Sequence, residues 1–201
     1  MNADTQAGTR RRLPIGMQTF REVREQNCYY VDKTAFIGRL LDEGKHYFLS
    51  RPRRFGKSLL LDTCKELFEG SEALFEGLAI HDGWDWSARH PVLRLSFGSG
   101  NFKEPDHLPA NVMAQLDAVE RDTGVVSGYA SATDRFGHML EALHRQAGRP
   151  VAVLVDEYRA GARGSGPGRD SRVVQRYSWR GEEKVYNPFD ILLLFRSWAF
   201  R

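Results

Sequence analysis

The apolar run Tyr47-Phe48-Leu49 passes without a break into Ser50-Arg51-Pro52-Arg53-Arg54-Phe55-Gly56-Lys57-Ser58 and then into Leu59-Leu60-Leu61. A strand, a tight basic turn and a helix start in immediate succession leave few ways to fold. In such a turn backbone N–H groups cradle phosphate, the Lys reaches the outer phosphates and the Ser hydroxyl ligates Mg²⁺. The usual pattern, G-x-x-x-x-G-K-[ST], opens on glycine, and Arg51 stands there instead. A Cβ at that point restricts how the backbone wraps an anion, so the turn departs from the common form or carries strain. Arg51, Arg53 and Arg54 offset this by placing three guanidinium groups around the expected phosphates. A Gly-Lys-Ser tripeptide also arises by chance, so its flanks and a second motif must carry the reading.

That second motif is Val151-Ala152-Val153-Leu154-Val155-Asp156-Glu157-Tyr158. Unbroken apolarity without alternation suits a parallel strand buried on both faces, whose carboxyl end opens into a ligand crevice. Taken alone, the acid pair is solvated charge capping a core strand. Beside Gly56-Lys57-Ser58 it reads as the acidic strand end of a triphosphatase, with Asp156 joining Ser58 in the Mg²⁺ shell and Glu157 polarising the attacking water.

Periodicity supplies the frame between the motifs. Asp32 or Thr34 starts a helix lined by Phe36, Ile37, Leu40 and Leu41, with Gly44 as its stop. The helix after the turn runs from Ser58 to Phe68, and Pro91 to Phe97 reads as a strand. Leu108 to Arg121 and Thr133 to Gln146 read as helices carrying Met113, Leu116 and Val119, and Phe136, Met139, Leu140 and Leu143, inward. Strands alternating with helices predict an α/β fold, a parallel sheet flanked by helices, with both motifs at one sheet edge. Trp84 and Trp86 are expected to pack, and Asn187-Pro188 before Ile191 to Phe195 predicts a turn followed by a short apolar helix.

Several segments together carry a family resemblance: Pro14-Ile15-Gly16, Phe20, Tyr30-Val31-Asp32-Lys33-Thr34, Phe48 to Ser58, Leu74-Phe75-Glu76-Gly77-Leu78, Pro91-Val92 and Val155-Asp156-Glu157-Tyr158. The chain resembles the bacterial AAA-ATPase-like family in register from Leu13 to Tyr158. Members commonly carry a P-loop domain followed by a nuclease-like domain of the PD-(D/E)XK type. The resemblance implies a P-loop NTPase-type sheet, ATP and Mg²⁺ as ligands, and Arg51 as a family habit. It assigns the nucleotide to Arg51, Pro52, Arg53, Arg54, Phe55, Gly56, Lys57, Ser58 and Leu59, the metal to Ser58 and Asp156, and catalysis to Glu157 and Lys57. Nucleic acid and oligomerisation follow only by analogy with relatives.

Past Tyr158 the resemblance lapses into Gly-, Ser-, Pro- and Arg-rich sequence, then resumes with Tyr177-Ser178-Trp179 and Val185 to Phe195. The expected organisation is a disordered tail at 1–12, a P-loop domain at 13–158, a linker at 159–176 and a remnant of a later family segment at 177–201, an internally shortened and truncated member. In ATPases of this class a strand that follows the acid pair lies between it and the phosphate-binding strand, and usually bears a residue that senses the γ-phosphate. No apolar strand follows Glu157 before the Gly-rich tract, and Arg172 to Arg176 is too short and charged to serve. The sheet is therefore expected to be incomplete: either its two motif strands close up, or buried backbone groups go unpaired at ~1–3 kcal/mol each.

Composition narrows the remaining classes. The chain has 201 residues and net charge +3, with Lys and Arg at 29 against Asp and Glu at 26. Its basic clusters are Arg10-Arg11-Arg12, read as tail, and the phosphate-turn arginines, which leaves no concentrated nucleic-acid face. No stretch approaches a membrane span and no secretory core is present, so a cytoplasmic location is expected. Cys28 and Cys64 are too few for a disulfide framework, and the six histidines lack zinc-type spacing. Asp170 and Glu182-Glu183-Lys184 lack the flanking strands of a nuclease site, and Tyr30 or Phe20 could stack on adenine but also fit a core. Three functions remain: a slow ATPase, a nucleotide-dependent binding or switch protein without turnover, and a gene remnant without activity.

Overall fold

The computed structural model describes residues 11–43, 46–50, 55–97, 107–158 and 190–196. In chain order these form helices α1 (Phe20–Glu25) and α2 (Thr34–Glu43), strand β1 (His46–Ser50), helix α3 (Lys57–Phe68), strand β2 (Val92–Ser96), helices α4 (His107–Thr123) and α5 (Ala132–Ala147), and strands β3 (Val151–Tyr158) and β4 (Asp190–Arg196). The protein is mixed α/β. Each helix and strand that periodicity predicts up to Tyr158 is present, with ends moved by three residues or fewer.

The sheet runs β1-β4-β3-β2. Strands β2 and β3 pair in parallel, whereas β4 lies antiparallel to both β1 and β3. Two expectations are thereby corrected. The sheet is mixed where an all-parallel one was predicted, and Ile191 to Phe195 forms a strand where a helix was predicted. A short unbroken apolar run has no period of its own, and the environment decides it. Here the environment is an open slot between two apolar strands. Burying β4 there pairs their backbone groups, so β1 and β3 neither close up nor stay bare.

Alternation along β3 divides the core in two. Ala152 and Leu154 face a cluster built from Ile37 and Leu40 of α2, Leu60, Leu61, Cys64, Leu67 and Phe68 of α3, with Phe20 and Phe75. Val151, Val153 and Val155 face Leu93 and Leu95 of β2, Leu116 of α4 and Met139, Leu140 and Leu143 of α5. Helices therefore cover both faces of this strand, which is why it is apolar at every position from Val151 to Val155. Arg135 ties α5 to α4 by bonding Glu120 and Asp117, at 2.6 and 2.5 Å from one guanidinium nitrogen.

The tryptophans pack as expected: Trp84 sits edge-on to Phe68, and Trp86 stacks near Phe75 while its indole N–H donates to the His81 carbonyl at 2.8 Å. Both cysteines are buried and free, and burial pushes the Cys64 thiol up to about 12. Arg12, expected in a tail, pairs with Cys28 through an isolated parallel bridge. Residues 1–10, the Gly-rich tract, and Asp170 with Glu182 to Lys184 lie outside the described residues, as does Gly44. Among the described residues no helix is long and apolar enough to cross a membrane.

Candidate functional site

Topology brings the two motifs to one edge. Strands β1 and β3 are both antiparallel to β4 and therefore parallel to each other, so Ser50 and the Asp156–Tyr158 segment end at the same side of the sheet. Ser50 and Tyr158 both pair with Asp190 of β4, which sets the two strand ends roughly 10 Å apart, two strand spacings. Ser96 of β2 lies opposite Asp156 and extends the same edge.

At the end of β1 the chain turns through Gly56, whose φ of 72° is left-handed, into α3. An L side chain would be strained there, which is the physical reason for glycine before Lys57. Among the described residues no side chain caps this helix, and its first internal bond runs from the Leu60 N–H to the Gly56 carbonyl at 3.0 Å. The amides at the start of α3 lie outside its internal hydrogen-bond ladder, and the helix dipole puts its positive end at this turn. Phe55 and Ser58 are exposed, Lys57 is half-buried, and Leu59 packs against the core. Arg51, Pro52, Arg53 and Arg54 lie outside the described residues, so the three-guanidinium cluster stays an expectation from sequence.

Across the edge, Asp156 is 6% exposed and lies on the β3 face shared with Ala152 and Leu154, the face that α3 covers. Its Oδ2 is 3.9 Å from Arg94 Nη2, and its Oδ1 has no hydrogen-bond partner among the described residues. A buried carboxylate oxygen with open lone pairs is costly unless a cation or water meets it. Glu157 is fixed only as backbone within β3.

Arg94 also donates to Asp62 Oδ1 at 3.0 Å, and Asp62 Oδ2 accepts the Phe20 N–H at 2.6 Å. Asp62 stands one turn beyond Ser58 on α3, so this chain of contacts ties the start of α1 to α3, β2 and the acidic strand end. Neither Asp62 nor Arg94 was singled out from sequence. The signal was there: each is a lone charge inside an apolar stretch, Leu59-Leu60-Leu61-Asp62 and Val92-Leu93-Arg94-Leu95. Arg94→Met should leave two carboxylates buried without a cation and destabilise the protein by about 2–3 kcal/mol, below the full cost of breaking a buried pair because Arg94 is partly exposed. Urea unfolding measures this, and adding Asp62→Asn to the same chain should recover part of the loss.

A third element reaches this corner. Asp32 accepts from the Thr34 amide at 2.8 Å, the Thr34 hydroxyl at 2.7 Å and the Ala79 amide at 2.8 Å. Burial alone would raise its carboxyl, but these bonds and the charge of Arg24 outweigh it and hold the group below the usual carboxylate range. The loop so fixed carries Lys33 to Gly56. By contrast, Phe20 is fully buried and Tyr30 lies edge-on to it with its hydroxyl against Thr63 at 3.2 Å. Both rings are core, and burial raises the Tyr30 hydroxyl.

The family model described as "Predicted AAA-ATPase" matches residues 14–162, which span both motifs and the strands that carry them. The chain belongs to the AAA-ATPase-like family. An uncharacterized protein in the vnfD 5′ region of Azotobacter chroococcum mcd 1 is 51% identical over 151 residues. That match takes in 75% of this chain but only 29% of the relative, so this AAA-ATPase-like chain spans less than a third of the relative's length. No solved structure matches it.

The donor set fits a nucleotide-borne Mg²⁺. Such an ion keeps several waters and takes one or two protein oxygens, the remaining ligands coming from phosphate. Asp156 Oδ1 is unpartnered, and the Ser58 hydroxyl is exposed on the first turn of α3. Among the described residues no group of three or more His, Cys, Asp or Glu forms an all-protein metal cage.

Proposed function

We propose that this AAA-ATPase-like protein binds Mg-ATP at the sheet edge shared by β1 and β3, in a P-loop NTPase-type site, and hydrolyses it slowly. The observation that carries the reading is the uncapped, glycine-led start of α3 at the same edge as a buried carboxylate with a free oxygen. A family built around a nucleotide site supports it.

In this reading the amides of Gly56 to Leu59 and the Lys57 ammonium hold the phosphates, with Arg51, Pro52, Arg53, Arg54 and Phe55 completing the turn. One of the arginines offsets charge that develops on the transferring phosphoryl group. Ser58 and Asp156 would hold Mg²⁺, which when bound neutralises phosphate charge. Glu157 orients the attacking water and takes its proton, so that water oxygen bonds to the γ-phosphorus as the bond to the β-γ bridging oxygen breaks. Arg94 is a positioning residue that keeps Asp156 in place through Oδ2.

Slow turnover follows from the direction of β4. The strand between β1 and β3 presents its amino end, at Asp190, to the ligand edge, where ATPases of this class present a carboxyl end with its γ-phosphate sensor. Phosphate release is expected below about 1 s⁻¹, the low end of ordinary enzyme turnover. Glu157→Gln should cut it by about 10²–10⁴-fold, the usual worth of a general base. A coupled phosphate assay on wild type and variant checks both numbers. Tight Mg-ATP binding with identical release from both proteins would instead favour a nucleotide switch without turnover.

A further inference from the structure

Lys33 stands just ahead of α2, where its carbonyl accepts the Phe36 N–H at 3.0 Å and the Ile37 N–H at 3.4 Å. Its ammonium lies against the phosphate turn. A Cβ placed on Gly56 would come within 3.5 Å of Lys33 Nζ, among the described residues the one atom beyond its chain neighbours and its own helix that such a Cβ would approach within 4 Å. The backbone behind Lys33 is firmly held, since Asp32 and Thr34 bond each other and the amides of Ala79 and Ile80.

This placement is unfavourable as it stands. A cation is destabilising at the positive end of a helix, and Lys33 sits beside the starts of both α2 and α3. Asp32 directs its oxygens to Thr34 and Ala79, and no carboxylate among the described residues pairs with Lys33. An anion at the turn would resolve the conflict at once. Asp156 Oδ1, buried at the end of β3 and without a hydrogen-bond partner among the described residues, separately calls for a cation, so the edge as a whole suits a metal-bound polyphosphate.

We propose that Lys33 is a second phosphate-binding lysine, reaching the nucleotide from the start of α2 beside Gly56. The proposal rests on the Mg-ATP reading above. Its particular claim is that one segment, Asp32-Lys33-Thr34, couples occupancy of the turn to the α2 start and to the Ala79–Ile80 turn it holds.

Calorimetric titration of the full chain with Mg-ATP, together with thermal unfolding without nucleotide, tests it. Lys33→Met should weaken Mg-ATP binding by about 10–100-fold, the range for a charge-assisted hydrogen bond. The same substitution should leave the nucleotide-free melting temperature unchanged or higher, because it removes a cation from two positive helix ends. Lys33→Arg should recover most of the affinity. Unchanged binding in Lys33→Met while Lys57→Ala loses it would overturn the role of Lys33 and leave the Mg-ATP site standing. A lower nucleotide-free melting temperature without rescue by arginine would also overturn it, making Lys33 structural. Absence of Mg-ATP binding by the wild-type chain would defeat the underlying reading and the proposal with it.

Discussion

Lys57→Ala is expected to lower Mg-ATP affinity by about 10–150-fold, because a charge-assisted contact to phosphate is worth about 1.5–3 kcal/mol. Wild-type protein at a nucleotide concentration about 100 times Kd should gain about 2.7 kcal/mol of stability by mass action. For a chain of this size that corresponds to a rise of roughly 5–10 °C in melting temperature. At the same nucleotide concentration the variant should retain between about a tenth and a half of that rise. Without nucleotide, the two proteins should melt within a degree or two of each other, since Lys57 is half-buried at the rim and lies outside both core clusters. Paired calorimetry and thermal scans read both effects. An equal nucleotide-dependent rise in the two proteins would place the phosphates elsewhere.

Ending the chain at Tyr158 is expected to abolish cooperative unfolding. Strand β4 supplies five residue pairs to β1 and six to β3, and β1 has no other strand neighbour. About ten backbone hydrogen bonds at a net ~0.5–1.5 kcal/mol each are comparable with the ~5–15 kcal/mol that holds a whole domain together. Removal also uncovers the apolar edge of β3 at the centre of the sheet, leaving β2-β3 as a two-stranded ribbon too small to stand alone. Circular dichroism during heating should show a broad, non-sigmoidal loss of signal, and the chain should aggregate at its exposed edges. A sharp transition in the shortened chain would mean that β1 and β3 pair directly.

Much of this protein was legible before any coordinates. The helices α2, α3, α4 and α5 announce themselves because each buries one stripe against the sheet, which forces an apolar period near 3.6 residues. Strand β3 is legible for the opposite reason, since both its faces are covered and Val151 to Val155 must all be apolar. Gly56-Lys57-Ser58 was readable because only glycine takes the left-handed turn without strain, and Asp156 because a charge closing an apolar strand needs a reason. Strand β4 was not legible. Five consecutive apolar residues satisfy a helix or a strand equally, and only the vacant slot between β1 and β3 decides between them. Asp62 and Arg94 stood out as lone charges in apolar stretches, but their roles, like that of Lys33, were illegible because their partners are brought near from distant parts of the chain.

The amino-acid sequence by itself determined the order of helices and strands up to Tyr158, the family, and the two local motifs, since each depends on neighbours only a few residues away. The tertiary structure alone decided that the last apolar run enters the sheet backwards, and that Lys33 and Arg94 reach the edge at which both motifs were expected. These are long-range facts. They follow from which backbone groups remain unpaired and which charges remain uncompensated once the sheet has formed, and no local pattern records either.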